Sequence, residues 1–167
     1  MTTTRLCCAK HSIGMQFHEI KQGITKARAF GEFSSIGVDT WGVDFGLLDK
    51  NGDLLQNPVY YRDTRTTGVL EEACKKIGKE ALYGATGVQL MEINTLFQLY
   101  SLAKKHPDLL ERADCALLMP DLFGYFLTGE KAAEYSIAST TQMLDPPFES
   151  LNGGDGWTCQ KHSFCFG

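Results

Sequence analysis

The sequence has no apolar run near the roughly 18 residues that a membrane-spanning helix needs. Its opening, MTTTRLCCAKHSIGMQ, offers only LCCA where a secretory signal requires a longer apolar stretch. Positive charge is not in excess either: 16 basic against 20 acidic residues leave a net charge of -4, without the basic stripe that releases counterions from nucleic acid. These absences predict a soluble, cytoplasmic protein with neither a membrane nor a nucleic-acid partner. The six cysteines, Cys7, Cys8, Cys74, Cys115, Cys159 and Cys165, contain no CxxC pair, so they read as free thiols rather than a disulfide framework. Cys7, Cys8 and His11 can be drawn with Cys159, His162 and Cys165 as a zinc site, but they lack the knuckle spacing that structural zinc uses.

Phosphate-binding signatures are missing as well. GKE at Gly78 and GEK at Gly129 lack the upstream glycine and the hydroxyl of a GxxxxGK[ST] loop, and no GxGxxG follows a strand. DKNGD from Asp49 begins like a calcium loop, yet Leu54 stands where the turn glycine belongs and Tyr60 where the glutamate belongs. Its Asn-Gly pair predicts a hairpin turn instead. No serine or cysteine has a motif-placed histidine, and His106 before a proline fits a helix C-terminus.

Periodicity organises the middle of the chain. In EIKQGITKARAF, Ile20, Ile24, Ala27 and Phe30 recur at helical spacing. SSIGVDT reads as a strand buried on both faces of a parallel sheet. VDFGLLD alternates, with Val43, Phe45 and Leu47 on one face, and the turn leads into DLLQNPVYY as a β-ribbon. Helices are predicted over 66–77 and in NTLFQLYSLAKKH, ended by Pro107. CALLMP reads as a second buried strand, and DLFGYFLTGEK as a helix capped by Asp121 and closed by Gly129. A helix feeding a buried strand is the grammar of an α/β fold.

Two stretches carry candidate chemistry. In TWGVD, Gly42 lets a ligand approach the backbone, Trp41 offers a flat face to a sugar ring, and Asp39 and Asp44 can accept bonds from hydroxyls. Residue chemistry equally allows a core tryptophan at a bend between strands. In YYRDTRT, Arg62 and Arg65 either hold an anion or pair with Asp63 and nearby carboxylates.

Taken together and in order, SIGVDTWGVDFGLLDKNGDLL, PVYYRDTRT, YGATGVQLMEINTLFQLYSL, ALLMPDLFGYFLTGEK and EYSIASTTQMLD resemble the FGGY carbohydrate kinase family, in its rhamnulose-phosphorylating branch. The resemblance divides the chain into an irregular leader (1–18), a partial kinase N-terminal domain (19–145) and an irregular tail (146–167). It implies a partial ribonuclease-H-like α/β domain of the actin-like ATPase superfamily with a β-ribbon insertion. It also implies ATP and Mg as cofactors, and transfer of the γ-phosphate to a primary hydroxyl of L-rhamnulose, a small-molecule sugar. The substrate-binding residues it points to are Gly42, with Trp41 and Asp44 as shaping neighbours, and Ile93 and Asn94 in the second segment. Glycine at 42 is expected to leave room for a six-carbon deoxyketose.

Neither the family's ATP-phosphate turn nor its catalytic aspartate has a match here, so the expectation is a kinase fragment that keeps part of the sugar pocket and does not turn over alone. SIGVDT is expected to sit mid-sheet beside CALLMP with an unpaired apolar edge, which invites aggregation. Two alternatives stand beside this reading: a non-catalytic sugar-binding or interaction module, and a fragment of another FGGY kinase acting on a pentulose or L-fuculose.

Overall fold

A computed structural model describes residues 10–144 and 164–165; the expectations for Cys7, Cys8, Cys159, His162 and most of the tail fall outside the described residues. The architecture is three layers, with helices on both faces of a small antiparallel sheet. Helix α1 (Ile13–Arg28) leads into an irregular segment and then strand β1 (Phe45–Leu48). A 3-10 turn (Thr64–Thr66) precedes α2 (Val69–Ile77), α3 (Lys79–Thr86), α4 (Thr95–Lys105) and α5 (Pro107–Arg112). Strand β2 (Cys115–Leu118) follows, then α6 (Met119–Thr128), α7 (Tyr135–Ser139) and a short β3 (Phe164–Cys165). The sheet order is β1-β2-β3, with Phe45 opposite Leu118 and Leu48 opposite Cys115. No helix among the described residues is long and apolar enough to cross a membrane.

The alternation of side chains along each strand explains the layering. Phe45 and Leu47 of β1 and Ala116 and Leu118 of β2 point into one core with Leu99 and Leu102 of α4 and Ala138 of α7. Leu48, Cys115 and Leu117 point the other way, against Ile13 of α1 and Met119, Leu122 and Phe123 of α6. Gly46 belongs to that second face, and a Cβ there would stand 2.8 Å from Leu122 Cδ2 and 2.9 Å from Leu54 Cδ1. Glycine is what lets α6 lie down on the sheet. A satellite core of Val69, Ala73, Leu82 and Phe97 fastens α2 and α3 to α4. On its rim Glu72 accepts from Lys104 at 2.6 Å and from Tyr100 at 2.9 Å. Those bonds, the Lys104 one foremost, hold the Glu72 carboxyl down at about 2.

Much of the predicted skeleton is present, with instructive departures. The hairpin turn forms as read: Asp49 N donates to Asp53 O at 3.0 Å and Gly52 N to Asp49 O at 2.9 Å. Helix α1 starts at Ile13, inside the stretch expected to be an irregular leader, because Ile13, Phe17 and Ile20 already lie on the face that packs against the sheet. Ala27 is exposed within it, and because it stops at Arg28, Phe30, 93% exposed, lies beyond it. SSIGVDT is not a buried strand. It has no regular secondary structure and a bend at Ser34, most of it is exposed, and it joins no ladder among the described residues. An apolar run becomes a strand only where neighbouring backbone pairs with it, and β2 pairs instead with β1 and β3. Phe33 and Ile36 consequently remain exposed.

Asp121 does not cap α6. Leu118 holds the cap position and Pro120 the first turn, while Asp121 Oδ1 accepts from Glu134 N at 3.2 Å and its buried Oδ2 has no partner among the described residues. Burial raises the Asp121 carboxyl to about 6 from 3.8, against the opposing pull of the Glu134 N–H. A carboxyl with a raised folded-state value makes its full contribution below 3.8 and weakens the fold as pH climbs from there through about 6. Asp121→Asn, which keeps the Oδ1 acceptor, is expected to raise the melting temperature at about pH 7.5 by roughly 2 to 4 °C, after discounting for solvent screening, and to leave it unchanged at about pH 3. Melts followed by circular dichroism at both pH values check this.

Candidate functional site

TWGVD is a strained turn. Asp44 N donates to Gly42 O at 2.9 Å across Val43, whose φ of 66° places a β-branched residue in the left-handed region. Such a backbone costs on the order of 1–3 kcal/mol and persists only where its surroundings fix it. Here three side chains from two helices do so. Val43 N donates to Thr140 Oγ1 at 3.2 Å, and Val43 O accepts from Thr95 Oγ1 at 2.8 Å and from Gln98 Nε2 at 3.2 Å. Thr140 ends α7, and Thr95 and Gln98 open α4. Gln98 Nε2 also lies 2.7 Å from Ile93 O, so one side chain ties the turn to the segment before α4.

Behind the turn the Asp44 side chain is fully buried. Its Oδ2 accepts from Trp41 Nε1 at 2.8 Å, from His11 Nε2 at 2.9 Å and from Tyr61 N at 3.3 Å. A carboxylate only accepts, so His11 carries its proton on Nε2 in this pair. His11 also packs on Trp41, ring centroids 4.7 Å apart, and edge-on to Tyr60 at 5.4 Å. Trp41 is thereby held at its polar edge and over one face. Nearby, Arg62 lies over the Tyr61 ring and donates from Nε to its hydroxyl at 3.1 Å, a bond that raises the guanidinium's already high value. Arg65 donates to Gln98 Oε1, and Asp63 Oδ1 accepts from Arg65 N at 2.9 Å. The YYRDTRT stretch thus braces the turn.

A groove of about 450 Å³ opens in front of it, lined by Trp41, Gly42, Val43, Tyr61, Val88, Met91, Ile93, Asn94, Ser139 and Thr140, within the range of small-molecule sites. Trp41, Gly42, Ile93 and Asn94, singled out from sequence, meet there. Asp44 does not: it supports the groove from behind with its oxygens engaged, so the expectation that it accepts from ligand hydroxyls is corrected. Asp39 is exposed and off the groove. A Cβ at Gly42 would lie 3.1 Å from Thr140 Cγ2 and Oγ1, so glycine also lets Thr140 pack closely against the turn. Sequence reading missed His11, Gln98 and Thr140. Their partners lie 33, 54 and 97 residues away, and no spacing rule reaches that far.

The lining is neutral throughout, and the described residues contain no group of three or more His, Cys, Asp or Glu side chains able to hold a metal ion. This donor set does not fit a magnesium triphosphate, and no phosphoryl-transfer step follows from these residues. It offers hydroxyl and amide groups beside apolar side chains.

Residues 14–146 match the FGGY family of carbohydrate kinases, N-terminal domain, and the chain belongs to that family. Among its relatives, a rhamnulokinase from Halalkalibacterium halodurans is 49% identical over 130 residues, covering 77% of this chain and 28% of the relative. One from Bacteroides thetaiotaomicron is 46% identical over 136 residues, covering 81% and 28%. The chain therefore spans a little over a quarter of the length of these relatives. A ligand-bound xylulose kinase from Lactobacillus acidophilus superposes with a TM-score of 0.72 at 17% identity, covering 87% of this chain and 30% of its own. That likeness establishes the fold, which is that of the actin-like sugar kinases.

The clamp on the turn makes a direct prediction. Thr140→Val leaves the buried Val43 N–H unpaired and is expected to destabilise the chain by about 1–3 kcal/mol, whereas Thr140→Ser, which keeps the hydroxyl, changes stability by less than about 0.5 kcal/mol. Urea unfolding of both variants measures the difference.

Proposed function

We propose that this chain supplies one wall of the sugar site of an ATP-dependent kinase that phosphorylates L-rhamnulose, and that these 167 residues alone bind the ketose without turning it over. The groove carries the reading. It joins two stretches, TWG and Ile93-Asn94, that are 50 residues apart in sequence, around a neutral space with a tryptophan face and a buried amide. A sugar ring stacks its apolar face on an aromatic ring and spends its hydroxyls on fixed polar groups. Both rhamnulokinase relatives support L-rhamnulose as the ketose.

In this proposal Trp41 is the platform, Gly42 and Ile93 shape the floor, Asn94 is the polar contact, and Asp44 acts only through Trp41 and the turn. ATP and magnesium act in the whole kinase through residues outside this groove, as does the general base. The proposed setting is cytoplasmic, the partner a small-molecule sugar.

Titration calorimetry of the chain with L-rhamnulose tests the reading. Saturable one-to-one binding is expected, weak because only one wall is present, with Kd on the order of 1 mM. Trp41→Ala should weaken it by tenfold or more. A coupled assay with MgATP should give no rhamnulose-dependent ADP. Failure to bind overturns the sugar reading, and sustained ADP release overturns the division of labour between this groove and the rest of the kinase.

A further inference from the structure

Asn94 precedes α4, where an asparagine ordinarily turns its carbonyl oxygen onto the first free backbone N–H groups of the helix. It does not do so here. Leu96 N is taken instead by Thr141 O at 3.0 Å, and Phe97 N by the backbone O of Asn94 at 3.0 Å. The side-chain amide nitrogen is fixed twice, donating to Gln89 O at 2.9 Å and to Gln142 Oε1 at 2.8 Å. Both of its hydrogens are committed, and only Oδ1 is left, without a protein donor among the described residues, on a side chain that lines the groove.

The group that fixes this orientation is held at a cost. Gln142 is 1% exposed, its φ is 62°, and its Nε2 is buried with no partner among the described residues. A left-handed non-glycine residue with an unsatisfied amide calls for a reason. The reason on view is that its other amide atom locks Asn94. Free asparagine amides present donor or acceptor by a simple flip, and a buried acceptor facing Nδ2 removes the choice.

We infer that Gln142 is a positioning residue that presents Asn94 to the groove as an acceptor only, so that the groove selects a ligand hydroxyl able to donate at that point. The inference rests on the sugar reading above, but its first test needs no ligand. In the nitrogen-15-labelled chain, the Asn94 side-chain amide hydrogens are expected to exchange with solvent at least about tenfold more slowly than exposed amides. Gln142→Met should lose that protection and weaken L-rhamnulose binding about fivefold, while Gln142→Glu, which keeps an acceptor, should retain protection and hold affinity within about twofold. On adding L-rhamnulose to the unaltered chain, the Asn94 carbonyl carbon resonance should move, reporting a new bond to Oδ1.

Fast exchange in the unaltered chain overturns the inference without any variant. So does Gln142→Met with full protection and affinity, or sugar binding that leaves the carbonyl resonance in place. A protected amide in a chain that does not bind the ketose overturns the sugar reading and upholds the positioning, whereas binding with an unprotected amide overturns the positioning alone.

Discussion

The left-handed backbone of Val43 is the constraint from which the site is built. A β-branched residue does not stay at φ 66° by its own preference, so its amide and carbonyl must be held from outside. Thr140 takes the one, and Thr95 and Gln98 take the other. Because those three side chains come from the end of α7 and the start of α4, holding the turn also brings both groove walls together. The energies are comparable. Strain of about 1–3 kcal/mol stands against three bonds worth about 0.5–1.5 kcal/mol each, and the turn survives through the whole clamp.

Asp44 makes the arrangement one-sided. A fully buried carboxylate is tolerable only when its oxygens are bonded, and the donors of this one are Trp41, His11, Tyr61 and, more distantly, Gln98. The tryptophan is tethered by its indole nitrogen, packs against the core between α1 and α6, and contributes to the groove lining. The same fully buried carboxylate therefore fixes the tryptophan from behind the groove. Close approach does the rest. Gly42 admits Thr140 to the turn, and Gly46 admits Leu122 of α6 to the sheet behind it.

What was legible in the sequence is what is local. VDFGLLD read as an alternating strand and CALLMP as a buried one, and the structure sends alternate residues of FGLL and CALL to opposite cores. The spacing of Leu96, Leu99 and Ala103 gave a helix that runs Thr95–Lys105, and the Asn-Gly pair gave its turn. Four of the five substrate-binding candidates line one groove. What was not legible depends on partners distant in sequence. SSIGVDT has the composition of a strand, but pairing decides strands. His11 looked like part of an unpatterned leader, and only the fold sets it on Asp44. Asn94 was named only as a site candidate, and its release from capping depends on Thr141 and Gln142, more than 40 residues later. Asp121 had the residue type of a cap, but the helix starts two residues before it, at Met119, with Leu118 as its cap.

The fold of an actin-like sugar kinase, a neutral groove and a tethered tryptophan are the observations behind the proposal that this wall of the site binds a ketose. A heteronuclear NMR titration of the chain with L-rhamnulose, following every assigned backbone amide and the Trp41 indole, tests that claim most directly. The account predicts saturable shifts concentrated at Trp41, Gly42, Ile93, Asn94 and Thr140, with α2 and α3 silent. Shifts centred elsewhere, or none up to concentrations well above 1 mM by the ~1 mM affinity expected, would contradict it.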